Sequence, residues 1–327
     1  MKFTESMLNS YSQPLSETEN QQCKNAIRMV SDALKCLGFT DDGHEISLLY
    51  PETYAYTLTL RNASVGRKIK LFVQGSYANN TNVRTQSDVD IAVVQEETFT
   101  TEYRSAAESS CPQSNSDYGF VTAPSKAISF KDEVEDCLKK KFGADVERKN
   151  KSIKVHGNTY RKDADTVPCR RYRDYRKDYS KNPENYIGGI VIIPDQGARI
   201  INYPEQHIAN GRTKNVSTHS YYKKYVRIIK KMRYLMEDSG YASASKVSSF
   251  LLESLLWNVD DSWYLENCPK YRNVFTFYLL LQKLCAEKEK FYSYKEANGI
   301  KPLCADDETY QNLCVFIDSL KNFYQYE

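Results

Sequence analysis

Gly75-Ser76-Tyr77-Ala78-Asn79-Asn80-Thr81-Asn82-Val83-Arg84-Thr85-Gln86-Ser87-Asp88-Val89-Asp90 is the stretch on which the reading of this chain turns. Ile69-Lys70-Leu71-Phe72-Val73 precedes it and Ile91-Ala92-Val93-Val94 follows it, and their aliphatic, β-branched content predicts a strand on each side. Residues i and i+2 of a strand share a face, so Asp88 and Asp90 project side by side. The strand rise sets them about 7 Å apart along the chain. Two anions held that close repel and raise one another's pKa unless a cation sits between them. Mg²⁺ takes oxygen ligands and usually binds one or two protein carboxylates together with substrate phosphates. Gly75-Ser76 falls between a strand and a short helix. A glycine lets the backbone approach a phosphate, and the N–H groups of a helix N-terminus attract anions. The Ser76 hydroxyl adds one donor. Gly-Ser and Asp-x-Asp are each common as turns. In this order, between apolar strands, they point to phosphate chemistry rather than to a solvated acidic edge.

Working outward, Ser16 to Leu37 reads as a helix, with Ser16 as cap, Glu19 three residues on and Gly38 as its end. A second helix is predicted over Glu52 to about Lys68. Residues 100–125, Ser/Thr-rich with Pro112 and Pro124, read as a surface loop, and Lys126 to Phe142 returns to helical spacing. Short strands are predicted over Asp145 to Val167, with a turn at His156-Gly157-Asn158. A hairpin follows, from Gly189 to Ile193 through Pro194-Asp195-Gln196-Gly197 to Ala198–Ile201. Beyond Thr218 the chain reads as helix after helix. Strands early and helices late predict an α+β core, residues 1–217, and a helical second lobe, residues 218–327.

The chain has 327 residues, 41% hydrophobic and 27% charged, which excludes a disordered or low-complexity protein. Lys+Arg 45 against Asp+Glu 42 leaves a net charge of +3, so a basic surface has to be local. Nine cysteines and four histidines include no C-x-x-C and no spacing suited to zinc. Free thiols in a reducing cytosol are expected, with the sequons at Asn62, Asn79 and Asn215 unglycosylated. No apolar run reaches the ~18 residues a membrane span needs, and Met1-Lys2-Phe3-Thr4-Glu5 is no targeting segment, so the expected location is the cytoplasm.

Gly-Ser, eleven residues, Asp-x-Asp and Ile-Ala-Val-Val together resemble the signature of the polymerase-β-like nucleotidyltransferases. That superfamily uses a third carboxylate on a later strand. Asp165-Thr166-Val167-Pro168 resembles that position in the cGAS/DncV-like branch, with Thr166 where a hydrophobic residue is usual. Asp163, on the same strand face, is the competing candidate. The Gly75–Thr81 and Ser87–Ile91 runs resemble the bacterial members of that branch, as do Tyr203-Pro204, His207, Lys214-Asn215 and Thr218. These are the CD-NTases, which make cyclic oligonucleotide messengers in anti-phage (CBASS) defence. The resemblance spans residues 15–320. It implies a mixed twisted sheet with flanking helices and a C-terminal helical lobe.

The resemblance also implies that Asp88 and Asp90 hold two Mg²⁺ ions, for which Mn²⁺ can substitute, and that Asp165 completes one of them. The substrates would be nucleoside triphosphates joined into a cyclic di- or trinucleotide with release of pyrophosphate. A downstream effector responsive to cyclic nucleotides would be the partner, and the enzyme a monomer. A linear or 2′-5′ oligoadenylate-type polymerase and a catalytically silent nucleotide-binding protein are the alternatives. The helix from Thr218 or His219 to Met236 sets Tyr222, Tyr225, Val226, Ile229, Met232 and Met236 on an apolar face opposite its lysines and arginines. The basic side reads either as a solvated face or as a triphosphate clamp, with Lys223 or Arg227 on the β- or γ-phosphate. Tyr221 or Tyr222 would stack on a base, and Asn215 would read a base edge, which favours a pyrimidine. Arg170, Arg171, Arg173 and Arg176, interleaved with Tyr172 and Tyr175, read equally as contacts to substrate phosphates or RNA or as a solvated turn. With no zinc ribbon, activation by double-stranded DNA is not expected.

Overall fold

The computed structural model describes residues 2–41, 46–51, 53–83, 88–124 and 127–326. Arg84-Thr85-Gln86-Ser87 of the quoted stretch lies outside them, as do His44, Glu52 and Lys126. In chain order the elements begin β1 (Lys2–Phe3), α1 (Glu5–Tyr11), α2 (Glu17–Leu34), β2 (Thr40–Asp41), β3 (Ser47–Leu48), β4 (Tyr56–Asn62), β5 (Arg67–Gln74), α3 (Gly75–Ala78) and β6 (Val89–Glu102). Next come α4 (Phe130–Phe142), β7 (Val146–Arg148), β8 (Ile153–Val155), β9 (Ala164–Asp174), β10 (Ile187–Ile192), β11 (Ile200–Asn202), α5 (Pro204–Ser217) and α6 (Tyr221–Asp238). The chain closes with α7 (Ala242–Ser245), α8 (Ser249–Trp257), α9 (Asp261–Asn267), α10 (Asn273–Ala286), α11 (Asp307–Phe323) and β12 (Gln325–Tyr326).

Two compact units form, and both are discontinuous. One comprises Glu17–Gly75 and Asp88–Pro204, the other Met1–Ser16, Ser76–Ser87 and Glu205–Glu327. The first is built on a mixed sheet in the order β11-β10-β9-β6-β5-β4-β2, with β3 on β4 and the β7–β8 hairpin on β9. Among the described residues of this sheet only β6 and β9 run parallel; the other pairs are antiparallel. Val89 is buried and, past Asp90, so are Ile91, Ala92, Val93 and Val94, the apolar run of a central strand covered on both faces. Phe72, Ala92, Val94, Val167, Cys169, Ile190 and Ile192 pack together on one face of the sheet.

The hairpin at Pro194–Gly197 and the strands on either side of Gly75 form as the sequence implies. The helix expected over Glu52–Lys68 does not. Tyr56, Leu58, Leu60 and Asn62 are buried while the residues between them are not, so the period is two and the segment is β4. The cysteines also depart from expectation. Cys36, just past α2, is disulfide-bonded to Cys137 of α4, with Cα atoms 6.1 Å apart; seven others are free. Helices α2 and α4 pack side by side, which brings together two cysteines 101 residues apart.

The second unit is helical around a core drawn from α6, α8, α10 and α11. The N-terminal segment belongs to it rather than to the sheet. β1 pairs with β12, and Glu5 of α1 accepts hydrogen bonds from the Asn273 and Val274 backbone N–H groups, capping α10. The segment after Gly75 is bound into the same unit. The Arg227 Nε donates to the Ser12 carbonyl at 2.7 Å, and its Nη1 donates to the Asn80 carbonyl at 2.6 Å.

Candidate active site

The backbone register assembles the site. Asp90 stands opposite Gln74 of β5 on one side and opposite Asp165 of β9 on the other, and Asp165 stands opposite Lys154 of β8. Directly opposed residues share a sheet face, so Lys154, Asp165, Asp90 and Gln74 form one row across four strands. Asp88 lies just ahead of β6. Its Oδ2 accepts from Lys154 Nζ at 2.8 Å. Asp163 is also tied to Lys154, at 2.8 Å, while its Oδ1 accepts from the Gly157 N–H at 2.6 Å. Of the two candidates for the third carboxylate, Asp165 faces Asp90, and Asp163 closes the turn at Gly157.

The row concentrates negative charge at partly buried positions. Burial, reinforced by the charges of Asp165 and Asp88, pushes the Asp90 carboxyl up to about 7. Burial also raises Asp165, with the Asp88 charge adding to it, while Lys154 and the Ser152 hydroxyl pull it back. For Lys154, hydrogen bonds to Asp163 and Asp88 outweigh the burial penalty and strengthen its hold on the proton. Two carboxylates raised together, side by side, mark a place where a bound cation would be favourable. Hard oxygen donors in that arrangement suit a divalent cation of the Mg²⁺ type. Among the described residues no three acidic, His or Cys side chains already converge as a metal-holding set. Asp88 is turned to Lys154 instead.

Gly75 has to be glycine. Its φ is +69°, and a Cβ there would lie 2.5 Å from Asp90 Oδ2. The backbone thus passes directly against the carboxylate as α3 begins. Gly75→Ala is expected to lower the thermal midpoint, at a cost of about 1–3 kcal/mol for the left-handed backbone and the displaced carboxylate. Its nucleotidyl transfer is expected to fall with it. A melting curve and a pyrophosphate-release assay on one preparation check both.

The remaining residues singled out in the sequence sit as follows. The Ser76 carbonyl accepts from the Thr81 N–H at 2.9 Å, closing the turn after α3. Tyr222 is fully buried in the helical core, and its hydroxyl donates to the Glu253 carbonyl at 3.3 Å. It is not placed to stack on a base. Tyr221 is only partly buried, with Lys224 Nζ 5.9 Å from its ring centroid. Asn215 uses its amide locally: Oδ1 accepts from the Lys223 N–H at 3.2 Å, and Nδ2 donates to Ser220 Oγ at 3.4 Å. With Thr218 Oγ1 accepting from the Tyr222 N–H, Asn215 of α5 and Thr218 just past it cap α6, whose own N-cap Ser220 sits at φ 69°.

The basic helix α6 does not present a solvated basic face along this side: Lys223, Arg227 and Lys230 are all buried. Lys230 pairs with Glu253, which no local sequence pattern singles out. After Asp165, Arg171 pairs with Glu96 and Arg176 with Asp174, while the Arg173 guanidinium lies 3.9 Å from the Phe99 ring centroid. Three of those four arginines therefore hold the fold. Lys154 was not singled out in the sequence either. Its signal would have been its place in the strand that pairs with the one carrying Asp165.

A nucleotidyltransferase domain model matches residues 60–182, and the model of the cGAS/DncV-like nucleotidyltransferase C-terminal helical domain matches residues 209–325. The chain is 45% identical over 328 residues to the cyclic GMP-AMP synthase CdnE03 of Staphylococcus schleiferi, covering 100% of this chain and 98% of that one. It is 31% identical to the cyclic dipurine nucleotide synthase of Elizabethkingia meningoseptica, over the full length of both. The solved structure of the Rhodothermus marinus CdnE c-UMP-AMP synthase with Apcpp and Upnpp superposes with a TM-score of 0.72 at 25% identity. That match covers 98% of this chain and 96% of the other.

Proposed function

The chain belongs to the cGAS/DncV-like nucleotidyltransferases, and from that membership we propose that it joins two nucleoside triphosphates into a cyclic dinucleotide messenger. Each of the two steps forms a bond from a ribose hydroxyl oxygen to an α-phosphorus and breaks the bond from that phosphorus to pyrophosphate. The observation that carries the proposal is Asp90 facing Asp165 across parallel strands, with the Gly75 backbone against Asp90. Asp88, Asp90 and Asp165 are the proposed ligands of the divalent cations, Mg²⁺ with Mn²⁺ as substitute. When bound, the cations supply charge neutralisation for the triphosphate and acidify the attacking hydroxyl. Without them, burial and the charges of Asp165 and Asp88 push the Asp90 carboxyl up to about 7.

Gly75 and Ser76 are the proposed phosphate contacts, and Tyr221, the less buried of the two tyrosines opening α6, is the proposed stacking ring. Production of a messenger for a cyclic-nucleotide effector in CBASS defence, by a cytoplasmic monomer that needs no double-stranded DNA, completes the proposal. That part rests on the family's role and on no residue described above. No helix among the described residues is long and apolar enough to cross a membrane.

The test is a product assay with all four labelled nucleoside triphosphates and Mg²⁺ or Mn²⁺, followed by phosphatase. A small phosphatase-resistant product, absent when Asp88 and Asp90 are both alanine, is the expected outcome. A phosphatase-sensitive ladder would make the chain a linear polymerase. Relatives named for GMP-AMP, UMP-AMP, dipurine and dipyrimidine products all match this chain, so omitting one nucleotide at a time reads out the bases.

A further inference from the structure

Lys154 is bound by two carboxylates at the same distance, 2.8 Å from Asp88 Oδ2 and 2.8 Å from Asp163 Oδ2. The two are not alike. Asp163 is fixed: its Oδ1 accepts from the Gly157 N–H, and its carbonyl accepts from the Val89 N–H at 2.8 Å. The turn is so close that a Cβ on Gly157 would lie 2.6 Å from the Asp163 backbone nitrogen. Asp88 is about as exposed as Asp163, 39% against 37%, but it lies ahead of its strand, and among the described residues Lys154 is the ion-pair partner it has. Lys154 itself is in register with Asp165, at the end of the carboxylate row.

Resting on the metal-dependent reading above, we propose that Lys154 is a positioning residue, an internal counter-cation that holds Asp88 in the metal-free protein. It yields Asp88 to an entering divalent cation and stays anchored on Asp163. An ammonium on a flexible four-carbon stem can change partners without moving its strand. While it holds Asp88, the form of the site competent to bind a cation is only part of the population, and apparent metal affinity falls by that fraction. Removing the competitor should tighten metal binding, and removing the fixed anchor should loosen it. A residue that only stabilised the β7–β8 hairpin would give neither effect.

The experiment titrates Mn²⁺ into the full chain without nucleotide and follows free Mn²⁺ by electron paramagnetic resonance, with thermal unfolding confirming that each variant is folded. Wild type is expected to bind Mn²⁺ in a way that Asp90→Asn abolishes. Lys154→Met is expected to bind at least about threefold tighter, the size a lost unit charge gives at screened short range. Asp163→Asn, which keeps an oxygen acceptor for the Gly157 N–H but loses the charge, is expected to bind more weakly than wild type. Lys149→Met controls for the general field and should move affinity by less than Lys154→Met does. A Lys154→Met protein that binds no tighter than wild type, or no tighter than Lys149→Met, overturns the proposal while leaving the metal site standing. Binding that persists in Asp90→Asn overturns the metal site and the proposal together.

Discussion

Asp90→Asn is expected to abolish nucleotidyl transfer and, without divalent cation at pH 8, to make the protein harder to unfold. The two effects have one cause. Asp90 is held between Gly75, whose backbone leaves no room for a Cβ, and Asp165 directly opposite. Burial and two neighbouring carboxylates lift its folded pKa to about 7, well above that of an unfolded aspartate. A group whose folded pKa is raised binds its proton more tightly in the native state, so stability falls as pH climbs from the unfolded value through the folded one. The cost is absent near pH 4, grows through pH 5–7 and is fully present at pH 8. Asparagine cannot ionise and carries none of it, so metal-free Asp90→Asn should gain on the order of 1–3 kcal/mol over wild type at pH 8 and nothing near pH 4.

Divalent cation offsets the difference. Wild type should be stabilised in proportion to ion occupancy, by about 2.7 kcal/mol at a hundred times the dissociation constant, and Asp90→Asn should not respond. Losing several kcal/mol of transition-state charge stabilisation corresponds to a rate loss of about 10³-fold or more. Denaturant midpoints at pH 4.5 and 8, with and without Mg²⁺, together with pyrophosphate release, check each part. A metal-free Asp90→Asn that is less stable than wild type at pH 8 would mean that Asp90 is held by favourable contacts, and the electrostatic account of the site would fail.

Local pattern made the strand–turn–strand element around Gly75 legible. A β run, a glycine and two carboxylates at spacing two are decided within a few residues, and the hairpin at Pro194–Gly197 is local in the same sense. β4 stands where a helix is expected although its signal is local: Leu58 and Leu60 alternate with Thr57, Thr59 and Arg61. The other misses depend on partners distant in the chain. No pattern within α6 announces that Arg227 will be spent on the carbonyl of Ser12, 215 residues away, or that Lys154 will meet Asp88 across 66 residues. An amphipathic basic helix looks the same in sequence whether its cations face water, a triphosphate or buried acceptors. Only the packing of α1, α5 and α8 around α6 decides between them, and it decides for buried acceptors at Arg227 and Lys230.

Those acceptors lead to the largest stability effect in the helical unit. Glu253→Ala is expected to cost about 3–5 kcal/mol, the usual consequence of stranding a buried charge by removing its partner. Glu253 and Lys230 are 1% and 3% exposed. Glu253 Oε2 pairs with Lys230 Nζ and accepts from Thr81 Oγ1 at 2.7 Å, while Oε1 lies 2.8 Å from His207 Nε2. Burial alone would raise the Glu253 pKa, but Lys230 and His207 outweigh it and hold the carboxyl well below the ordinary glutamate range. Its contribution is therefore complete at neutral pH and disappears only as acid takes the pH below the value of an unfolded glutamate. The network closes on Thr81, in the segment that leads from Gly75 and Ser76 toward Asp88, so its loss should loosen that segment as well as the helices.

Glu253→Leu combined with Lys230→Met separates charge from packing. Removing both ions together strands neither member of the ion pair, although Thr81 and His207 lose Glu253 as their acceptor, and the part of the Glu253→Ala loss that comes from the stranded Lys230 charge should return. Chemical denaturation of wild type, the single variant and the double variant measures this directly. A double variant as unstable as Glu253→Ala would show that the hydrogen bonds to Thr81 and His207, rather than the ion pair, hold the segment in place.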